Sequence, residues 1–211
     1  VTLVGGGKPS AKNVTEALSL APLLVAADGG ANFCAEMGHE PVAVIGDFDS
    51  LDAGVRRAFP EAQFVEVADP ADQDTTDFQK CLARISAPFV LATGFTDARL
   101  DHTLANLGAL AQMQGPPTVL IGTRDVIFAA PREVDLEVSV GTRVSLFPME
   151  EMRGTSEGLE WPIDGLTLSP TGRMGTSNRA VGRVRLRFET PGCLVLMPRE
   201  TLLQVLRCLT G

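Results

Sequence analysis

Short apolar runs alternate with helix-spaced apolar residues through the first 128 residues, and this alternation most constrains the fold. The runs predicted as strands cover residues 1–4, 23–27, 42–45, 64–67, 89–92 and 119–121. They lack regularly spaced polar residues, as expected of parallel strands covered on both faces. The segments predicted as helices cover residues 12–20, 31–37, 53–59, 75–85 and 103–113. The pattern predicts an α/β layer with a mainly parallel sheet flanked by helices.

Beyond residue 128 the chain becomes rich in Gly, Pro, Thr and Arg, and its apolar segments are short and nearly evenly spaced. This composition and spacing predict an antiparallel, sandwich-like all-β domain closed by a helix at residues 201–209. In residues 183–188, arginines alternate with apolar side chains, so we interpret the arginine row as a solvated sheet face. We therefore predict two domains, at residues 1–128 and 129–211.

Glycine-rich or polar turns directly follow four of the predicted strands, at residues 5–7, 28–30, 46–49 and 93–94. Ligands of parallel α/β sheets bind outside the carboxyl ends of the strands, so these turns predict one site. The glycines would permit close approach of the backbone to phosphates or a base. The chain has no GxxxxGK[ST] motif and no GxGxxG after its first strand, which excludes the ordinary P-loop and dinucleotide-binding classes.

Aspartates concentrate at the same turns, since ten of the thirteen lie between Asp28 and Asp101. Grouped carboxylates repel one another unless a cation lies among them. Oxygen ligands without a Cys/His set favour a hard ion such as Mg²⁺, which makes phosphoryl or pyrophosphoryl transfer the first hypothesis. The formal charge of −8 lies entirely within residues 1–128, where eight basic residues face sixteen acidic ones. Such acidity argues against nucleic acid as the main partner.

The GDFDS turn places Asp47 and Asp49 two residues apart. If the strand continues through them, both carboxylates point to one side and can share an ion, while Phe48 points into the core. The alternative is that Asp49 or Ser50 caps the next helix.

The DQDTTD segment suggests a helix start, with Asp74 as the cap and Asp77 in the first turn. Capping does not account for every acid in it, so Asp72 or Asp77 could complete a metal shell. Gln73 could form a hydrogen bond to a neutral substrate group.

The RLDH segment opens the next predicted helix. Arg99 beside a phosphate site would stabilise charge on the transferring oxygens. Asp101 and His102 could bind the metal or the nucleotide. For His102 both a general base and a structural histidine remain open.

The four cysteines are scattered without a CxxC spacing, and Cys34 and Cys81 lie among apolar neighbours in predicted helices. They are predicted to be reduced thiols of the core. The longest apolar stretches are too short to cross a bilayer, and no basic segment followed by an apolar run opens the sequence. We therefore expect no secretory signal and a cytoplasmic location.

Four motifs in order, ADGGAN, GDFDS, DQDTTDFQKCL and RLDHTLANL, resemble those of the thiamine pyrophosphokinase family. The later GLEWPIDGLTL and TSN segments are similar to its C-terminal domain. The resemblance implies an N-terminal α/β domain, a C-terminal β-sandwich, and a homodimer that holds thiamine near the subunit interface. It also implies Mg²⁺-dependent transfer of pyrophosphate from ATP to thiamine, which releases AMP.

The resemblance also implies roles for individual residues. The implied metal ligands are Asp47, Asp49 and Asp77. The implied catalytic residues are Asp49, Asp77, Arg99 and Asp101. The residues implied near the nucleotide are Gly6, Asp28, Gly29, Gly94, Arg99 and His102. The residues implied at thiamine are Gln73, Ser177, Asn178 and Trp161. For Trp161, stacking on thiamine and a core role are both open. The chain departs from the family pattern at Asp97-Ala98 and at Gly175.

The expected reaction is attack by the thiamine hydroxyl on the β-phosphorus of ATP, with AMP as the leaving group. Asp101 or a bound water could accept the hydroxyl proton. One alternative is pyrophosphorylation of another primary alcohol, such as a hydroxymethylpterin. Two others are a nucleotide- or thiamine-binding sensor without catalysis and a metal-dependent nucleotide hydrolase.

Overall fold

The computed structural model describes residues 1–67, 75–96, 98–112 and 114–211. They form two compact units, which we treat separately. Unit 1 comprises Val1–Ala109 with Gln114–Thr123, and unit 2 comprises Leu110–Met113 with Arg124–Gly211. The domain boundary at residues 128–129 stays a prediction.

Unit 1 contains a parallel sheet, as the unalternated apolar runs predict. Its described strands are β1 (Thr2–Val4), β2 (Leu24–Ala27), β3 (Ala43–Gly46), β4 (Gln63–Glu66), β5 (Val90–Thr93) and β6 (Thr118–Ile121). Their order is β6-β5-β1-β2-β3-β4, and every pairing is parallel. The prediction of a parallel α/β layer is confirmed.

Helices connect these strands and bury their apolar faces on the sheet. They are α1 (Ala11–Leu20), α2 (Gly30–Met37), α3 (Val55–Ala58), α4 (Asp77–Leu82) and α5 (Leu100–Ala111). Val4, Ala26 and Val44 of the sheet pack with Ala31 and Cys34 of α2 in one buried cluster. Burial of these side chains supplies the main stabilisation of the layer.

Three helices differ from their predicted bounds by two residues or more at one end. Helix α3 has four residues instead of the predicted 53–59, and Phe59 leaves the helical region because a proline follows it. Helix α4 is shorter than the predicted 75–85, and α5 begins at Leu100 instead of residue 103.

The N-cap of α4 is Thr76, so the prediction of Asp74 as its cap is wrong. The Thr76 hydroxyl accepts a hydrogen bond from the Gln79 amide at 3.3 Å, and the Gln79 side chain accepts one from the Thr76 amide at 3.1 Å. This reciprocal capping box satisfies two backbone donors and sets the first residue of the helix. Asp77 lies in the first turn, as predicted.

Unit 2 is an antiparallel β structure with one closing helix. Its described strands are β7 (Asp125–Ala129), β8 (Glu133–Leu136), β9 (Arg143–Pro148), β10 (Met152–Leu159), β11 (Thr167–Leu168), β12 (Gly175–Phe188) and β13 (Cys193–Pro198), and α6 is Leu202–Thr210. Strand β12 pairs with β9 through its first residues and with β8 and β10 through its last. This strand therefore organises the unit.

The alternation predicted along β12 is observed. Val184, Leu186 and Phe188 are buried. The intervening arginines are exposed and form ion pairs along the sheet face: Arg183 with Asp135, Arg185 with Glu157 and Arg187 with Glu133. The interpretation of a solvated arginine face is confirmed.

The cysteines are free thiols, and Cys34 and Cys81 are buried, as predicted. Burial raises the pKa of Cys34 to about 12, so this thiol stays protonated and unreactive near neutral pH. In the described part of the chain, no helix is both long and apolar enough to cross a bilayer.

Gly30→Ala is expected to lower the free energy of unfolding by about 1–3 kcal/mol. A Cβ at this position would lie 2.1 Å from the carbonyl oxygen of Val4. The measurement is chemical denaturation beside Gly108→Ala, whose added Cβ meets no atom within 4 Å. The control is expected to stabilise α5 by about 0.5–1 kcal/mol, and equal midpoints for the two variants would contradict the packing argument.

Candidate active site

A cleft of about 390 Å³ opens in unit 1 where the carboxyl ends of β1, β2 and β5 meet the first turns of α4 and α5. The structure brings together in its lining all six residues predicted near the nucleotide, namely Gly6, Asp28, Gly29, Gly94, Arg99 and His102. Asp77 lines the cleft as well. This convergence follows from parallel strand order, because successive strands end at the same edge of the sheet.

The glycine turns at the cleft pack directly against each other. The Gly7 amide donates a hydrogen bond to the Gly94 carbonyl at 2.8 Å. Gly94 has a φ of +80°, and a Cβ there would lie 2.4 Å from the Gly5 carbonyl oxygen. These positions therefore require glycine for the turns to meet, and the bare backbone lies open to a ligand.

Asp28 is a strained and buried acid at the cleft. Its φ is +41°, and its exposure is 3%. Its Oδ1 atom is buried without a hydrogen-bond partner among the described residues. Burial raises the pKa of Asp28, and the nearby Gly29 amide offsets this only in part. A strained residue with an unsatisfied buried oxygen indicates a functional position.

Asp47 and Asp49 lie in a turn, so the condition that the strand continues through them is not met. The strand ends at Gly46, and Phe48 has a φ of +66°. Asp47 Oδ1 accepts a hydrogen bond from the Asp49 amide at 3.4 Å, which favours a turn over an extended strand. The alternative that Asp49 or Ser50 caps the next helix is wrong, because the N-cap of α3 is Gly54.

Phe48 packs against the core, as predicted, although the turn and not strand alternation directs it there. Its ring lies 5.9 Å from that of Phe64, and the Arg56 guanidinium lies over both rings. These contacts anchor the turn that carries the two exposed carboxylates.

Three of the acids are close enough to share one ion. Carboxylate oxygens of Asp28, Asp47 and Asp49 all lie within 4.8 Å of one another. Asp77, also predicted as a ligand, is outside this group, and its Oδ1 atom contacts the Lys80 ammonium at 3.2 Å. Its role as a metal ligand stays a prediction. The donor set fits a hard cation, because it consists of carboxylates, and one of them, Asp28, carries an unsatisfied buried oxygen.

Lys80 is a residue of this cluster that sequence reasoning missed. Its side chain is 8% exposed, and its ammonium group contacts Asp47 Oδ2 at 3.0 Å and Asp77 Oδ1 at 3.2 Å. The helical i, i+3 spacing from Asp77 was the available signal.

Lys80 and the two acids shift one another's pKa values. Burial lowers the pKa of Lys80, but Asp47 and Asp77 outweigh it, so the net shift is upward and the ammonium stays charged. The hydrogen bond from Lys80 lowers the pKa of Asp47. Burial raises the pKa of Asp77 despite the same lysine. The hydrogen bond from Lys80 therefore dominates the pKa shift of Asp47, whereas the loss of hydration dominates that of Asp77.

Arg99 lines the cleft and forms a two-point ion pair with Asp101, at 3.2 Å from Nε and 2.6 Å from Nη2. Both side chains are largely exposed. The hydrogen bonds from Arg99 lower the pKa of the Asp101 carboxyl. His102 is exposed and lines the cleft, and its role stays a prediction.

Sequence reasoning also missed Asn106 and two phenylalanines. Asn106 lies one helical turn after His102 and is buried at the cleft, and its Nδ2 atom donates to the Phe95 carbonyl at 3.0 Å. The rings of Phe78 and Phe95 lie 4.9 Å apart, which gives the cleft an aromatic wall. The i, i+4 spacing of His102 and Asn106 was a usable signal.

In unit 2, Trp161 is 52% exposed, so the alternative of a core role is wrong. The buried Asn178 side chain holds its backbone from both sides. The Trp161 amide donates to Asn178 Oδ1 at 3.2 Å, and Asn178 Nδ2 donates to the Trp161 carbonyl at 2.6 Å. The Arg179 guanidinium lies 5.9 Å from the indole. Asn178 thus presents Trp161 at the surface.

Ser177 has a φ of +62°, the third strained residue within the predicted site segments after Asp28 and Phe48. Its amide donates to Ser145 Oγ at 3.0 Å. The Ser145 hydroxyl also accepts from Arg143 at 3.1 Å. Nearby, a Cβ at Gly175 would lie 2.9 Å from that of Leu146, so packing explains this departure from the family pattern.

Four residues considered at the sequence level lie outside the described part of the chain. They are Asp72, Gln73, Asp74 and Asp97. The predicted contact of Gln73 with thiamine stays a prediction.

Comparisons with known proteins agree for both units. Residues 14–120 match the family model "Thiamin pyrophosphokinase, catalytic domain", and residues 131–193 match "Thiamin pyrophosphokinase, vitamin B1 binding domain". Thiamine pyrophosphokinase 1 of Oryza sativa subsp. japonica is 30% identical over 75% of this chain and 72% of its own. Thiamine pyrophosphokinase 1 of Arabidopsis thaliana is 27% identical, and the match covers 75% of this chain and 71% of that protein. The vitamin B1 domain favours thiamine over a pterin alcohol.

Solved structures show the same fold. The thiamin pyrophosphokinase from Candida albicans has a TM-score of 0.75 at 16% identity, with 93% of this chain and 88% of that chain covered. The thiamine pyrophosphokinase from Bacillus subtilis has a TM-score of 0.73 at 23% identity, with 93% of this chain and 97% of that chain covered. Together with the cleft and the family matches, these findings show that the chain belongs to the thiamine pyrophosphokinase family and is an enzyme that forms thiamine diphosphate from thiamine.

Proposed function

We propose that this enzyme transfers the pyrophosphoryl group of ATP to the thiamine hydroxyl in a Mg²⁺-dependent reaction at the unit 1 cleft. The observation that carries the proposal is the unsatisfied buried Oδ1 of Asp28 beside the exposed carboxylates of Asp47 and Asp49. Carboxylates this close repel one another, and a bound divalent cation offsets most of their negative charge. The fit supports a metal site formed by these three acids, and Asp77 is proposed as the fourth ligand.

Mg²⁺ bound to these carboxylates supplies neutralisation of charge on the phosphate oxygens. The protein itself has two tasks, to position the two substrates and to exclude competing water. The glycine turns at Gly6, Gly29 and Gly94 bring bare backbone to the cleft, where a polyphosphate chain can approach closely. The Phe78–Phe95 wall offers an apolar surface for a base.

Arg99 is proposed to contact the phosphates and to stabilise the charge that develops as AMP leaves. Asp101 accepts two hydrogen bonds from the guanidinium group of Arg99, and this fixes the orientation of the group. This pairing also lowers the pKa of Asp101 and makes it a weaker proton acceptor. Asp101 is therefore proposed to position Arg99, and His102 to line the nucleotide site.

In unit 2, Trp161 and Ser177 are proposed to contact thiamine, because both lie within the matched vitamin B1 binding domain. The exposed indole can stack on a thiamine ring. Both hydrogen-bonding ends of the Asn178 amide are occupied by Trp161, so Asn178 acts on thiamine through that residue. We further propose a homodimer and a cytoplasmic location.

The test of the proposal is AMP release in the presence of ATP and Mg²⁺, with and without thiamine. One AMP is expected for each thiamine diphosphate, and none above background without thiamine. AMP and free pyrophosphate without an acceptor would instead identify a hydrolase. Binding of both substrates without any AMP would identify a sensor.

Asp49→Asn is expected to lower thiamine-dependent AMP release by about 100-fold or more, because a ligand of the metal is lost. The exposed side chain tolerates the change, so the unfolding temperature should stay near that of the wild type. Asp52→Asn, an exposed acid three residues further on, is the matched control. Near-normal activity of Asp49→Asn would show that Asp49 does not hold the metal.

Asp28→Asn is expected to raise the unfolding temperature of the metal-free protein by about 3 °C at neutral pH while lowering activity. The raised pKa means that the ionised carboxyl is costly in the folded state, so the stability contributed by protonated Asp28 is lost as pH rises through that pKa. Thermal unfolding at neutral and mildly acidic pH measures this. The advantage of the variant should shrink in acid, and a pH-independent difference would contradict the explanation.

Thiamine is expected to quench the fluorescence of Trp161, the chain's single tryptophan. Asn178→Ala should weaken thiamine binding about tenfold in this titration, because two hydrogen bonds that hold Trp161 are lost. Arg187→Ala, an exposed position further along β12, serves as the control. An unchanged affinity in Asn178→Ala would exclude the positioning role.

A further inference from the structure

Lys80 places a buried positive charge inside the group of acids that is proposed to bind Mg²⁺. Its side chain is 8% exposed, whereas those of its partners Asp47 and Asp77 are 38% and 39% exposed. A buried ammonium is retained only where charged partners compensate for the lost hydration. Lys80 has two such partners, one on its own helix and one on the turn after β3.

Both carboxylate oxygens of Asp47 are already engaged. Oδ2 accepts from Lys80 at 3.0 Å, and Oδ1 accepts from the Asp49 amide at 3.4 Å. Asp47 also belongs to the three acids whose oxygens lie within 4.8 Å of one another. A cation that binds this group therefore meets a carboxylate whose charge is partly neutralised by Lys80.

Asp77 remains as an ion-pair partner of Lys80 when the Asp47 carboxylate binds a cation instead. The Lys80–Asp77 contact is 3.2 Å, and it lies within the first turns of α4, whose start is set by the Thr76 capping box. Release of Asp47 therefore does not leave a buried ammonium without a partner, which would be strongly unfavourable.

We propose that Lys80 is a positioning residue that holds Asp47 in place in the metal-free enzyme and competes with the divalent cation for the Asp47 carboxylate. This inference rests on the proposed metal site of Asp28, Asp47 and Asp49. Lys80 thereby keeps the acid cluster compact when no ion is bound, and it weakens cation binding so that the ion exchanges with each nucleotide. Its positive charge opposes that of the incoming cation directly.

The test is titration of the nucleotide-free enzyme with Mn²⁺, with free Mn²⁺ followed by electron paramagnetic resonance. Lys80→Met is expected to bind Mn²⁺ about tenfold more tightly than the wild type, because a competing charge is removed from the cluster. Lys12→Met removes the same charge from an exposed position on α1 and should change the affinity less than about twofold. Equal or weaker Mn²⁺ binding by Lys80→Met would overturn the inference.

Thermal unfolding provides a second readout that a merely structural lysine would not produce. Metal-free Lys80→Met should unfold at a lower temperature than the wild type, and the difference should narrow as Mn²⁺ is added. A difference that stays constant with Mn²⁺ would assign Lys80 a packing role only. If Lys80→Met does not fold, Lys80→Gln, which keeps polar contacts to the acids without the charge, is measured in the same way.

The outcomes separate this inference from the function on which it rests. Wild-type enzyme that binds Mn²⁺, with Lys80→Met unchanged, would overturn the competition and leave the metal site standing. Wild-type enzyme that binds no Mn²⁺, together with an active Asp49→Asn, would overturn the metal site and the inference with it.

Discussion

The site of this enzyme depends on the parallel order of the unit 1 strands. Because β1, β2, β3 and β5 run in one direction, the turns that follow them all lie at one edge of the sheet. The turns approach so closely that side chains are excluded at Gly5, Gly30 and Gly94, where a Cβ would meet backbone atoms. The arrangement that packs the sheet therefore also exposes bare backbone and brings distant aspartates together.

The aspartates that meet at the cleft repel one another, and the structure compensates some of them better than others. Lys80 compensates Asp47 and Asp77, whereas Asp28 keeps a buried oxygen without a partner among the described residues. In this cluster the charges of Asp47 and Asp77 are partly neutralised, whereas Asp28 lacks a hydrogen bond to one of its oxygens within the described part of the chain. If the proposed metal site binds a cation, that binding stabilises the folded protein, because the ion binds the native state and not the unfolded chain. The strained backbone and the unsatisfied oxygen of Asp28 lower stability, which supports the proposal that this residue has a function.

Unit 2 shows a second way to prepare a site, through hydrogen bonds that support an exposed side chain. Asn178 is buried, and its side-chain amide forms hydrogen bonds with the Trp161 backbone. The indole ring of Trp161 is thereby held in an exposed position. Ser177 is held in a left-handed conformation beside it, with its amide on Ser145. Asp28, Phe48 and Ser177 have positive φ values and lie within motifs that the sequence had already singled out, which is where functional constraint overrides local preference. Lys8 also has a positive φ, and it directly follows the first glycine turn.

Hydrophobic periodicity by itself determined the parallel α/β layer, the antiparallel second part and the alternation along β12, because burial on one or two faces leaves a direct imprint on residue spacing. The ordered motifs indicated the family, and they predicted that Asp28, Arg99 and His102 lie at one site. Only the tertiary structure decided the turn at Asp47, the Thr76 cap, the place of Lys80 and the exposure of Trp161. These features depend on backbone dihedrals and on partners distant in sequence, and neither leaves a periodic signal.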